Sequence, residues 1–565
     1  MNSGNFMENN NINKQYHLWM ENADSEYRAE LQLMSEEDIK DAFYKELSFG
    51  TGGLRGIMGA GINRMNVYTV ERASQGLANY IIKNFPSRKC SIAIAYDSRR
   101  KSDQFARVSA EVFAANNIKV YIYKELMPTP CLSYAIRQLK CQAGIMITAS
   151  HNPMKYNGYK VYGEDGGQVT IEAAEKIQRE ISEIDIFKDV RKIDFDECLE
   201  QKKIIMIDES IYLNYVEEVL KESVVKESID RDVSIVYSPL NGTGLKPVIR
   251  TLKEAGFTNI TIVQEQEQPD GAFPTCPYPN PEIRDAMELG IQYCERIGAD
   301  ILIATDPDCD RCGAAVRALD GSFRLLSGNE MGILLLDYIC SQRTASHKMP
   351  ENPVFIKTIV TTELAERIAE SYGVRTINVL TGFKYIGEQI GILEQSGTEH
   401  RFILGFEESC GYLTGSYVRD KDGVNAALLI CEMAAYYKKH DITLLDKLEE
   451  LNSIYGYYLN TLHTYAFEGK AGSNRMRRVM NNFRNGMKRI GEKKVYRIED
   501  YALGIQGLPK TDMIKYILSD NCSVVIRPSG TEPKLKVYIS AVSNNKKESV
   551  RIEHEILKNI ENIIK

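Results

Sequence analysis

The stretch AGIMITASHNPMKYNGYKVYG, residues 143–163, decides how this chain is read. Its small and β-branched apolar residues read as a buried strand. The run stops abruptly at Thr148-Ala149-Ser150-His151-Asn152-Pro153, a hydroxyl flanked by an imidazole, an amide and a proline. Comparable runs recur as SIAIAYDSR (91–99), SIVYSPLNGTG (234–244), ADILIATDPD (299–308), PVFIKTIVTT (353–362) and RFILGFEES (401–409). Each leads into a polar or Gly-rich turn and then a helical pattern. QFARVSAEVFAANN (104–117) and GVNAALLICEMAAYYKK (423–439) show that helical periodicity most clearly. Strand–turn–helix alternation repeated in this way predicts α/β layers with largely parallel sheets. Ligands of such sheets bind beyond the carboxyl ends of the strands, so the polar residues there are where chemistry is expected.

The chain has 565 residues, enough for roughly four domains, and its 43% hydrophobic and 26% charged residues suit large cores. A net charge of −7 argues against nucleic acid as a partner. No apolar stretch approaches the length of a membrane span. The N-terminal MNSGNFMENNNINKQYHLW has no apolar core segment and does not read as a signal peptide; its Asn cluster is expected to fray. The 12 cysteines lack framework spacing, which implies free thiols in a reducing cytoplasm. Cys309 and Cys312 form a Cys-x-x-Cys, but the second pair that a zinc site requires is missing. Charged stretches near 186–210 and 465–495 read as linkers at boundaries, and after about residue 495 the strands CSVVIRPSG and KLKVYIS suggest a small α+β unit. The expected division is an extension at 1–40, α/β domains at 41–205, 206–322 and 323–465, and a C-terminal α+β domain at 466–565.

Four strand ends carry candidate chemistry. Ser150 has no Gly-x-Ser-x-Gly elbow of a hydrolase, but a hydroxyl at a strand end can accept and return a phosphoryl group. The plainer alternative is a turn serine ahead of Asn-Pro. Asp306, Asp308 and Asp310 alternate along an extended segment, so three carboxylates face one side and suit Mg²⁺. An EF-hand would need Gly and Glu where Arg311 and Arg317 stand, and a helix where ADILIAT reads as a strand. A solvated acidic turn is the remaining alternative. Glu407-Glu408-Ser409 offers groups that could hydrogen-bond sugar hydroxyls, a merely solvated strand end being the alternative. Arg527, Ser529, Gly530 and Thr531 combine a guanidinium fork, hydroxyls and open backbone N–H groups, the makings of a phosphate clamp. Ser529-x-x-Glu532 also fits a helix capping box, yet Pro533 and an alternating strand pattern follow it. A phosphorylatable serine, a magnesium loop, a hydroxyl-reading loop and a phosphate clamp together describe phosphoryl transfer on a sugar phosphate.

This set resembles the α-D-phosphohexomutase superfamily, and most closely the bacterial phosphoglucomutases. The resemblance rests on GTGGLRG (50–56), TASHNP (148–153), Asp306-x-Asp308-x-Asp310-Arg311, Glu407-Glu408-Ser409 and RPSGTEP (527–533), in order over about residues 40 to 560. It implies three related α/β domains with mixed, largely parallel sheets and a smaller C-terminal α+β domain around a central cleft. It also implies that phosphorylated Ser150 passes its phosphoryl group to a hexose monophosphate, giving glucose 1,6-bisphosphate. That intermediate turns over and returns its other phosphate to Ser150. Mg²⁺ would be held by Asp306, Asp308, Asp310 and the phosphoserine. Glu407 and Ser409 would hold sugar hydroxyls, and Arg527, Ser529, Gly530 and Thr531 the phosphate that is not transferred. Arg55 and Arg311 would steady the phosphoserine. Lys160 and Lys384 are candidates for proton transfer or phosphate contact, a base role requiring a depressed pKa. His151 could exchange protons, but reads better as support for the loop.

Glu-Glu-Ser in the sugar loop resembles the glucose-specific relatives, which implies glucose phosphate as substrate. GFEESCGY and TGGLRGIMGAGINRMN also resemble the branch that contains phosphopentomutases, so pentose phosphate is the second reading, with mannose phosphate a third. A silent sugar-phosphate-binding scaffold would be expected to lack Ser150 or an acidic ligand, and none is missing. A magnesium-dependent phosphatase would need an aspartate nucleophile or a metal-activated water, and no separate motif supplies one.

Overall fold

The computed structural model describes residues 3–50, 52–225, 229, 231–467, 469–505, 507–529 and 534–565. The chain divides into two compact units. The first comprises residues 1–223, 231–315 and 416–431, and the second residues 224–230, 316–415 and 432–565.

The first unit is built on two sheets. In one, the strands follow the order Gly53–Ile57, Tyr156–Gly163, Ala143–Ile147, Ser91–Tyr96, Lys119–Ile122 and Ile204–Met206. Strand 91–96 pairs in parallel with 119–122 and 143–147, while 156–163 runs antiparallel to both of its neighbours. The central strand 143–147 is buried at every position because helices cover the sheet, which explains its unbroken apolar run. Gly53, at φ 153°, is obligatory: a Cβ there would sit 2.0 Å from the Tyr159 carbonyl oxygen across the antiparallel pair. The second sheet places Ile260–Ile262, Ile235–Ser238, Ile301–Thr305 and Cys312–Arg317 side by side, the first three in parallel.

The N-terminal segment departs from expectation. Instead of fraying, the Asn-rich stretch lies in a helix, Ser3–Asn22, followed by Ser25–Leu33 and Glu36–Phe43. Trp19 is fully buried, edge-on to Tyr27, Phe43, Tyr68 and Phe187. Tertiary burial of this aromatic cluster outweighs the poor helix propensity of the asparagines.

In the second unit a sheet of order Arg375–Val379, Val354–Thr358, Phe402–Glu407 and Gly411–Leu413 is parallel except at its last strand. The C-terminal sheet is antiparallel throughout, in the order Tyr457–Ala466, Lys534–Ser543, Ser523–Pro528, Ile514–Leu518, Lys493–Asp500 and Arg489–Ile490. Helices Gly469–Arg484 and Lys546–Ile564 contribute to its core. Strand 457–466 pairs along its whole length with 534–543, so the C-terminal sheet begins before the border expected at residue 465. The charged stretch 465–495 is not a linker but mostly one amphipathic helix of this layer, its polar face supplying the charge. Among the described residues no helix is long and apolar enough to cross a membrane.

Candidate active site

Ser150 stands three residues past the buried strand 143–147, in a left-handed backbone conformation at φ 52°. Its N–H donates to Thr148 Oγ1 at 2.8 Å, and its hydroxyl donates to Asp306 Oδ2 at 2.8 Å. The acidic loop after strand 301–305 therefore meets the serine loop. Asp306, Asp308 and Asp310 are all buried, with a carboxylate oxygen from each within 4.8 Å of the others. Cys309 between them is also left-handed, at φ 51°, and its buried sulfur lies toward Gly244 rather than among the carboxylates. Packing against Gly244 disposes of the intervening side chain while the acidic side chains converge.

Electrostatics divide the three acids. Burial, reinforced by the Asp308 and Asp310 charges, pushes the Asp306 carboxyl well above the usual range. Burial acts the same way on Asp308, but Lys160 Nζ, 2.6 Å from Oδ2, outweighs it and keeps this carboxyl ionised. Lys160 lies on strand 156–163 and is 3.5 Å from Asp310. Burial opposes its charge, yet the two carboxylates raise its pKa overall, so as held here it is a proton donor rather than a base. Asp308 Oδ1 and Asp310 Oδ1 are buried without a hydrogen-bond donor among the described residues. Buried carboxylate oxygens carry a large desolvation cost when left unpaired, and a hard divalent cation would relieve it.

The remaining predicted residues of this unit gather around the serine. His151 Nδ1 is 3.2 Å from Ser150 Oγ. Burial and the Arg311 and Arg55 guanidiniums hold its pKa well below the ordinary imidazole value, so the ring is neutral at pH 7. Arg55, on strand 53–57, donates to Asn152 Oδ1 at 3.2 Å. Arg311 pairs with Glu282, and its Nε lies 3.8 Å from Asp310.

The second unit collects the other predicted residues that the structure describes. Glu407 ends strand 402–407, and its Oε1 accepts from the Gly382 N–H at 2.9 Å, two residues before Lys384. Burial lowers the Lys384 ammonium to about 8. Cys410 continues the sugar loop in a left-handed conformation, φ 56°. Ser409 follows in the turn beyond the strand, and Ser529 N donates to Lys534 O at 2.7 Å. Arg527 Nη2 reaches the Tyr538 hydroxyl at 3.4 Å. That phenol is pushed up to about 12, chiefly by burial and then by the nearby Glu408 charge, so the clamp arginine and the sugar loop share one neighbourhood. Gly530 and Thr531 lie outside the described residues.

Several residues at the first unit's centre carry no motif legible in the sequence. Thr129 donates to Asp308 Oδ2 at 3.1 Å. Lys421 Nζ lies 3.1 Å from Asp310 and 3.0 Å from Asp420, and Asp420 accepts from the Tyr162 hydroxyl and Gln168. Asp97 and Arg99 stand just past strand 91–96, where the position beyond a strand end is the one signal that marks them.

Comparison with known proteins accounts for this arrangement. Phosphoglucomutase/phosphomannomutase α/β/α domains I, II and III match residues 46–187, 212–321 and 327–451, and the C-terminal domain of that family matches 477–558. A phosphoglucomutase of Staphylococcus saprophyticus is 38% identical over 541 residues, 94% of this chain and 96% of its own. One from Staphylococcus aureus (strain USA300) is 36% identical over 538 residues, 93% and 95% of the two chains. Among solved structures, Paramecium parafusin, a phosphoglucomutase, superposes with TM-score 0.69 at 18% identity, covering 92% of this chain and 95% of its own. Aspergillus fumigatus N-acetylphosphoglucosamine mutase, in complex with GlcNAc-6P and magnesium, superposes at 0.53 with 14% identity, covering 92% and 96%. With all four domains present in order and relatives above 30% identity matched over nearly their whole length, the chain belongs to the phosphoglucomutase/phosphomannomutase family.

Proposed function

We propose that this chain interconverts glucose 1-phosphate and glucose 6-phosphate through phosphorylated Ser150 and a glucose 1,6-bisphosphate intermediate. The observation that carries the reading is the Ser150 hydroxyl hydrogen-bonded at 2.8 Å to Asp306, one of a buried cluster of three aspartates. The curated relatives, phosphoglucomutases matched over nearly their whole length, supply glucose phosphate as the substrate.

In the first half-reaction a sugar hydroxyl attacks the phosphorus on Ser150; a new sugar O–P bond forms and the Ser150 Oγ–P bond breaks. The proton lost by the sugar hydroxyl is relayed to Ser150 Oγ, which leaves phosphorus as the serine hydroxyl. His151 Nδ1, neutral and 3.2 Å from Oγ, is within reach of that exchange, whereas Lys160 serves as donor and phosphate contact. Arg55 and Arg311 face the transferring group. Glu407 and Ser409 orient the sugar, and Arg527 and Ser529, with Gly530 and Thr531, hold the other phosphate. Positioning and charge stabilisation then supply most of the rate.

The all-oxygen donor set, with two carboxylate oxygens lacking donors among the described residues, fits Mg²⁺ held by Asp306, Asp308 and Asp310 together with a Ser150 phosphate oxygen. When bound, the ion neutralises charge on the transferring phosphoryl group.

Turnover of glucose 1-phosphate, ribose 1-phosphate and mannose 1-phosphate, each with Mg²⁺ and a trace of glucose 1,6-bisphosphate, tests the reading. Glucose 6-phosphate should form fastest, and Ser150→Ala should lose at least about 10⁴-fold. Faster pentose turnover would keep the mechanism and move the substrate; no turnover of any of the three would remove the function.

A further inference from the structure

We infer that Arg99 is a positioning residue whose guanidinium clamps the Ser150 loop in its reactive conformation, acting through backbone carbonyls rather than on the substrate. The inference rests on the phosphoserine reading above.

A non-glycine residue at φ 52° carries about 1–3 kcal/mol of backbone strain and persists only where its surroundings over-determine it. On the carbonyl side of the Ser150 loop those surroundings are supplied by the Arg99 side chain. Arg99 Nη2 donates to the carbonyl oxygens of Ser150 and Asn152, and Nη1 to those of Pro153 and Tyr156 at 3.0 and 3.1 Å. A single fork thus fixes four carbonyls within seven residues of the nucleophile loop. Its side chain is fully buried, as is that of Asp97, whose Oδ2 lies 3.4 Å from Arg99 Nε. The same Asp97 Oδ2 accepts from Thr148 Oγ1 at 2.6 Å, and Thr148 Oγ1 accepts the Ser150 N–H. Ser102 Oγ and the Arg99 N–H bind Asp97 Oδ1 at 2.8 and 2.9 Å. The Phe273 ring covers the guanidinium at 5.0 Å, closing the stack from the second sheet's side of the same unit.

The consequence is geometric. Both backbone groups of Ser150 are gripped, the N–H through Thr148 and the carbonyl through Arg99, so its φ cannot relax and its Oγ stays directed at Asp306. Lysine places one charge but cannot span four carbonyls with a planar fork. Arginine is therefore required here for shape as much as for charge.

The test compares wild type, Arg99→Lys and Arg99→Ala. It reads Ser150 phosphorylation by glucose 1,6-bisphosphate, followed by intact mass and ³¹P NMR, together with mutase kcat and KM. Both variants should phosphorylate Ser150 and turn over about 10²-fold more slowly, the cost of a misplacement of about 1 Å, with KM for glucose 1-phosphate within threefold of wild type. Added methylguanidinium should restore at least tenfold of the Arg99→Ala loss, while methylammonium at equal ionic strength should not. Near-wild-type kcat in Arg99→Lys, or equal rescue by the two cations, would overturn the clamp. Should Arg99→Ala fail to fold, Arg99→Lys decides through kcat alone. A wild-type protein that does not acquire phosphate on Ser150 would instead overturn the functional reading.

Discussion

Lys421→Met probes how the buried acids of the first unit are held apart from solvent. Lys421 Nζ sits 3.1 Å from Asp310 and 3.0 Å from Asp420, and these three side chains are 8%, 2% and 1% exposed. Burial disfavours the Asp420 charge, and Lys421 and then Lys160 more than offset it. Removing one partner of a buried pair costs about 3–5 kcal/mol because the other charge is stranded. Asp310 keeps Lys160 at 3.5 Å, and Asp420 keeps the Tyr162 hydroxyl and Gln168, which favours the lower end, about 3 kcal/mol. In a unit of this size that is a fall of roughly 4–6 °C in the melting temperature. Trp19, the chain's 1 tryptophan, is fully buried in the same unit, so its fluorescence reports that transition. The deficit should depend on Mg²⁺. With Lys421 gone, the carboxylates attract a divalent ion more strongly; a tenfold gain in affinity returns about 1.4 kcal/mol at saturation. Melting is therefore measured in EDTA and in excess Mg²⁺, for wild type and variant. A deficit below 1 °C in EDTA, or one that Mg²⁺ leaves unchanged, would refute the reasoning.

Other outcomes follow from the second unit. Burial places the Lys384 titration near pH 8, so raising the pH through that value removes its charge. KM for glucose 1-phosphate should then rise up to about tenfold per unit above pH 8, and Lys384→Arg should flatten that limb; a wild-type KM constant to pH 9.5 would exclude a cationic role. Gly332→Ala adds a methyl 2.3 Å from the Phe406 ring, a clash that outweighs the gain of about 1 kcal/mol in helix propensity. It should lower urea resistance by about 1–3 kcal/mol and raise KM by displacing Glu407 on the same strand; wild-type values of both would count against this packing.

The buried strands announced themselves because their two covered faces demand unbroken apolar runs, and 143–147, 301–305 and 402–407 lie inside the segments read from sequence. Ser150, the alternating aspartates and Glu407 were legible for a related reason: a polar residue directly after such a run has few roles other than chemistry at a strand end. What the sequence could not supply was anything set by contact between distant segments. Trp19 and its aromatic neighbours turn an Asn-rich stretch into a helix only because residues 27, 43, 68 and 187 meet there. Pairing with 534–543 draws strand 457–466 into the C-terminal sheet. Lys421 reaches Asp310 from more than a hundred positions along the chain, and Arg99 grips a loop beginning 51 residues away. Local patterning records which side chains must be buried, since burial is repeated at every turn of a helix or step of a strand. The partner of a buried charge is recorded nowhere locally, because the low dielectric that makes the pair obligatory exists only after the chain has folded.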